Sequence, residues 1–121
     1  GRVAFFGSSY FSQNGTLFIG MGESDAAFAK VAIPVPVSGT IGGLQVRTNV
    51  VPGASPNSYT FTVYVNGAAT AATCVIGTGA TSCSDSVHTV AISMGDAVSL
   101  QQVGFSTPTA ASVTWSYYIN M

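Results

Sequence analysis

Charge is what this chain has least of. Only 6% of its 121 residues are Asp, Glu, Lys or Arg, against about a quarter in an ordinary soluble domain. Three basic and four acidic residues cannot cover a globule of this size. The formal net charge of −1 excludes the basic stripe that draws a protein to nucleic acid. Long apolar runs are missing too, and none approaches the ~18 residues of a membrane-spanning helix. With one His and one pair of Cys, there are too few soft ligands for the paired spacings of a zinc site. Leucine is scarce, at three residues against fifteen Val.

What is present is Val, Thr, Tyr and Phe, which is strand composition. Fifteen Ser and thirteen Thr must supply most of the wetted surface. Such a surface is soluble yet weakly self-repelling, so it tolerates close contact with copies of itself. The length indicates one domain with a modest core, which oligomerisation would help to stabilise.

Period-two alternation predicts strands along most of the chain. Ser58 to Val65 is the clearest, with Tyr59, Phe61, Val63 and Val65 on one face and Thr60, Thr62 and Tyr64 on the other. Asn66-Gly67 then signals a hairpin turn. Thr16 to Ile19 is a short apolar strand. In the segment from Ile41 to Val51, Leu44, Val46, Thr48 and Val50 turn inward and Gln45, Arg47 and Asn49 outward. Pro34 and Pro36 share one face of Val31 to Val37, which makes that segment an edge strand or an arm. Val90 and Ile92, then Val98 and Leu100, then Val113, Trp115, Tyr117 and Ile119 complete the inward set. Eight to nine antiparallel strands joined by turn signals predict a single-domain all-β sandwich of jelly-roll type over 16–121. Residues 1–15 are aromatic but irregular and read as an arm or linker. Its Phe5, Phe6, Tyr10 and Phe11 are expected to contact a neighbouring subunit or this domain's own sheet.

Cys74 and Cys83 are placed symmetrically about Thr78-Gly79. Folded as a hairpin with that tip, Cys74 faces Cys83, within reach of a cross-strand disulfide. The alternative is two buried free thiols. A disulfide implies an oxidising compartment: secreted, on a virion or on a cell surface.

Titratable groups are few. Glu23 and Asp25 share one loop and could offer oxygens to calcium, although a solvated loop is the plainer reading. Asp85 precedes His88 by three residues, which invites comparison with a catalytic triad. No nucleophile elbow accompanies the pair, so a hydrogen-bonded structural His is expected. Asp96 is expected to close a turn on backbone amides. Asn14-Gly15-Thr16 matches a glycosylation acceptor. Lys30 and Arg47 are isolated, too few for an anionic partner. Tyr10, Tyr64 and Tyr118 are outward candidates for stacking on a sugar ring, whereas Trp115 has core parity. No catalytic residue, metal or cofactor is expected.

The runs Pro34 to Arg47 and Ser58 to Gly67 resemble segments of uncharacterised bacterial and phage surface or fibre proteins. Gly95-Asp96-Ala97-Val98-Ser99-Leu100-Gln101 is similar to the Gly-Asp-x-Val-x-Leu segment of complement-type globular heads. Those heads and the tumour necrosis factor-like domains are trimeric jelly rolls. The resemblance, over roughly residues 30–119, implies a subunit that associates with itself, a trimer first, or with a capsid or fibre scaffold. The expected role is therefore a non-enzymatic structural subunit at a virion or cell surface: a decoration, fibre or appendage protein. The alternative is a fibre tip that binds a receptor or glycan through loops 52–57, 66–70 and 104–110.

Overall fold

Tyr59, Phe61 and Val63 project from one side of a strand and are fully buried, while Thr60, Thr62 and Tyr64 on the other side are half-buried. That alternation, repeated along the chain, makes two antiparallel sheets packed face to face. The structure is a computed structural model and describes residues 1–12 and 15–121, with the backbone alone for residues 10–12. The first sheet runs β1 (Arg2–Ser12), β11 (Ala111–Asn120), β5 (Gly39–Thr48), then β8 (Ser82–Asp85), with β9 (Val90–Ile92) also on β5. The second runs β3 (Ser24–Asp25), β2 (Thr16–Ile19), β10 (Ala97–Phe105), β6 (Ser58–Val65), β7 (Ala68–Ile76), with β4 (Ile33–Pro34) also on β10. A 3-10 turn, Phe28–Lys30, lies between β3 and β4. The all-β sandwich expected from the alternation is therefore what forms. Strands number eleven among the described residues; β3, only two residues long, is too short to leave a period in the sequence.

The core lies between the sheets. Ile41, Leu44, Val46, Val113 and Ile119 face Tyr59, Phe61, Ile76, Val98 and Leu100. Each large side chain so buried contributes roughly 1.5–3 kcal/mol. Along the inner face of the first sheet, Phe5 stacks on Tyr117 and Tyr117 on Trp115, with both centroid pairs 5.5 Å apart. Burial pushes the Tyr117 hydroxyl up to about 12. The indole of Trp115 lies over Gly7, its cross-strand neighbour. A Cβ on Gly7 would come 2.1 Å from the indole nitrogen, so only glycine leaves room for the ring.

Two expectations are corrected. Residues 2–12 form β1, paired residue for residue with β11 from Arg2↔Asn120 to Ser9↔Val113. The loose arm is thus an integral strand of this domain's own sheet, and the break drawn at residue 15 divides the sandwich. The alternation is masked in the sequence because Gly7 and Ser9 follow Val3 and Phe5 on the inward face, where apolar residues would mark it. The second correction concerns the cysteines. Cys74 and Cys83 are joined, with Cα atoms 5.7 Å apart. They do not lie across a hairpin, however. β7 pairs with β6 in the second sheet and β8 with β5 in the first. Residues 77–81 cross from one sheet to the other, and the disulfide ties the two layers together.

Candidate functional site

The outward face of the first sheet carries an uneven row of side chains. β11 in the middle presents Thr114 and Ser116, which are short. β1 on one side presents Phe6, and β5 on the other presents Gln45 and Arg47. Register fixes the arrangement: Phe6 is opposite Ser116 and Ser116 opposite Gln45, while Thr114 is opposite Arg47 and Arg47 opposite Ser82. Strands in a sheet are ~4.8 Å apart, so Phe6 and Gln45 stand about 10 Å apart over a low floor. The result is an open groove of about 350 Å³, within the range of small-molecule sites. Phe6 is 69% exposed. Among the described residues no acidic side chain pairs with Arg47, since the two ion pairs are Lys30–Asp25 and His88–Asp85.

A second groove of about 340 Å³ lies on the other side of Phe6, lined by Gly7, Ser8 and Met21 as well as by Thr114 and Trp115. It is mainly apolar, and Met21 is 70% exposed. Further along the same face, Tyr118 lies on a bulge of β5 formed by Gly42 and Gly43. Gly43 has φ +64°, and a Cβ there would sit 2.4 Å from the Tyr118 ring. The Arg2 guanidinium stands 4.2 Å from the centre of that ring, a cation–π contact. Arg2 is thus engaged, and among the described residues Arg47 is the basic side chain of this face without an acidic partner.

Asp85 is buried and accepts four hydrogen bonds. Its Oδ1 takes the backbone N–H groups of Val87 and His88, each at 3.0 Å. Its Oδ2 takes the Thr73 N–H at 3.1 Å and meets His88 Nδ1 at 2.8 Å. Burial by itself would raise its pKa. The amides of His88, Thr73 and Val87 and the His88 ring outweigh that and hold the carboxyl far below the ordinary carboxylate range. Three of these bonds close the local turn at residues 85–88, and the fourth, from Thr73, ties β8 to β7 one residue from Cys74, so the Asp–His pair is a structural knot beside the disulfide.

The other sequence candidates separate as follows. Asp96 closes its turn, accepting from the Ser93 N–H at 2.8 Å and from Asn66 Nδ2 at 3.0 Å, and both bonds lower its pKa. Asp25 accepts the Ala27 N–H at 2.8 Å and lies 4.0 Å from Lys30 Nζ. Among the described residues no three His, Cys, Asp or Glu gather as a metal site. Tyr64 packs outside the second sheet against Phe18 and Phe28 and accepts from Gln101 Nε2 at 3.0 Å. Phe5 turns inward and Phe6 outward. The side chains of Tyr10 and Phe11 and the acceptor Asn14 lie outside the described residues. Loops 52–57 and 104–110 are joined by Asn57, which bonds Thr107 in both directions. Residues 66–70 lie at the other end of β6, so the three loops do not form one cluster. The groove was missed because outward parity places Gln45 and Arg47 on one strand but cannot bring β11 and β1 beside it.

No protein-family model matches this chain, and no curated protein matches it. The disulfide fits an oxidising, non-cytoplasmic setting. Among the described residues, no helix is long and apolar enough to cross a membrane.

Proposed function

We propose that this chain is a non-enzymatic structural subunit that associates with itself at a virion or cell surface, as a decoration, fibre or appendage protein. The observation that carries the reading is the Phe6–Met21 ridge. Two large apolar side chains, each about 70% exposed, flank an apolar groove beside the outermost strand of the first sheet. Isolated exposed apolar residues are ordinary; adjacent ones on a charge-poor surface mark a contact. The backbone of β1 from Arg2 to Phe6 pairs with β11 on one side only, so it can also add a strand from a neighbour. Of Phe5 and Phe6, the two expected contact residues whose side chains are described, Phe6 turns outward. The strand order also supports the jelly-roll reading. The chain crosses between the sheets repeatedly, from β1 to β2, β4 to β5, β5 to β6, β7 to β8, β9 to β10 and β10 to β11, and strands from the start and end of the chain lie side by side (β1 with β11, β2 with β10). A trimer is the first expectation.

Deleting β1 would unmake the sheet, so point variants are the test. The parent should have a multimeric native mass by light scattering or native mass spectrometry. Phe6→Ser with Met21→Ser should shift it to the monomer while the β-sheet circular dichroism is unchanged. A parent that is monomeric at every concentration, or a double variant that assembles as well as the parent, overturns the reading.

A second reading, a receptor- or carbohydrate-binding tip, is favoured by one observation: the polar groove between Phe6 and Arg47.

A further inference from the structure

We propose that the groove between Phe6 and Arg47 binds a carboxylated sugar residue of a glycan; this rests on the carbohydrate-binding reading and gives its ligand a chemical class. The side chains require different things of a ligand, and one chemistry meets them all. Arg47 is a fixed cation with five donors and no counter-ion among the described residues, and its planar fork matches a carboxylate. Gln45 adds an amide that both donates and accepts, and Ser82, Thr114 and Ser116 add hydroxyls. These suit a ring carrying several hydroxyl groups. Phe6 supplies an exposed apolar face for the C–H side of such a ring. A bare anion would leave Phe6 and Gln45 unused, and a neutral sugar would leave Arg47 unpaired. The short floor residues of β11 leave a trough wide enough for one sugar between walls about 10 Å apart.

The site is open and shallow, so a single sugar binds weakly. Several copies held in one assembly would engage a polymeric glycan together, and affinity would rise through effective concentration. The two grooves share Phe6, Thr114 and Trp115, whereas Gln45, Arg47 and Ser82 line the sugar groove alone, so a copy seated on the Phe6–Met21 ridge shares Phe6 with the sugar and leaves the Arg47 wall free.

The test uses the full chain on immobilised galacturonate, glucuronate and sialate glycans, each beside its methyl ester, which keeps the sugar and removes the charge. The acids should be retained, at least one of them about tenfold better than its ester, as a charge-assisted contact implies. Arg47→Ala should abolish that preference with native mass unchanged, and Arg47→Lys should keep part of it. Titration with the free acid should move the backbone amide signals of Gln45, Thr114 and Ser116. If acid and ester bind equally, the carbohydrate reading survives and the acidic assignment falls. If no glycan is retained, both fall. Inorganic phosphate displacing the glycan as well as the free sugar acid does would reduce the groove to a bare anion site and overturn the proposal.

Discussion

Asp85→Asn is expected to lower stability by about 3 kcal/mol and the melting temperature by roughly 10 °C. The asparagine would keep the size of the side chain. It would, however, set an NH2 group against backbone N–H donors and remove the charge that four hydrogen bonds now satisfy. The effect depends on pH with a definite sign. The folded-state pKa of Asp85 lies below its ordinary value of 3.8, so the unfolded chain takes up the proton first. Its contribution is therefore complete above about pH 5 and is lost as pH falls through 3.8 toward the folded value. Urea unfolding at pH 7 and pH 3 checks this. The parent should lose stability toward pH 3, and the variant should lose less, so that the gap between them narrows. An equal gap at both pH values would show that the charge is not what joins β8 to β7.

Replacing Cys74 and Cys83 by Ser should cost a similar amount. Closing a loop with a sequence separation of 9 removes about 2.5–3 kcal/mol of unfolded-state entropy. The folded position adds to the effect, because Cys74 is buried and packs in the core cluster. The melting temperature of the double variant should drop by roughly 10 °C under oxidising conditions. The parent in reductant should follow the variant. An unchanged melting temperature, together with free thiols in the parent, would remove the disulfide from the account.

Where the sequence could be read, the signal was one strand long. Tyr59, Phe61 and Val63 alternate with Thr without interruption, so Ser58–Val65 was placed to the residue. Asn66-Gly67 marked its turn. Trp115, Tyr117 and Ile119 kept core parity, and all three are buried. Where the reading failed, the deciding contact was remote. Gly7 looks like a break in a strand until the Trp115 indole is laid over it. Cys74 and Cys83 have the symmetry of a hairpin, yet the same symmetry arises when two inward residues meet across the sandwich, and nothing local separates the cases. Gln102 is fully buried despite its polarity, in a strand whose inward residues were otherwise legible. The groove needed Phe6, Thr114 and Arg47 from three strands far apart in sequence, so its composition was visible only as scattered polar residues.

The two flanks of the sandwich are closed by bonds of unlike permanence. On the β7–β8 flank the layers are joined by a covalent link and the Asp85 knot. On the β1–β2 flank they are joined by Ser8 N–H to Gly20 O at 3.0 Å, Gly22 N–H to Ser8 O at 2.7 Å and the Trp115 indole to Gly20 O at 3.4 Å. Local opening is drawn from the least stable part of a fold, so this molecule has a hinge side and a seam side. Amide exchange should be fastest along the seam, and Phe6 and Met21 sit on it. A neighbouring copy bound there would cover the very place where the sandwich parts. Assembly would then act as a latch on the fold of each subunit, and dilution would loosen β1 before any other long strand.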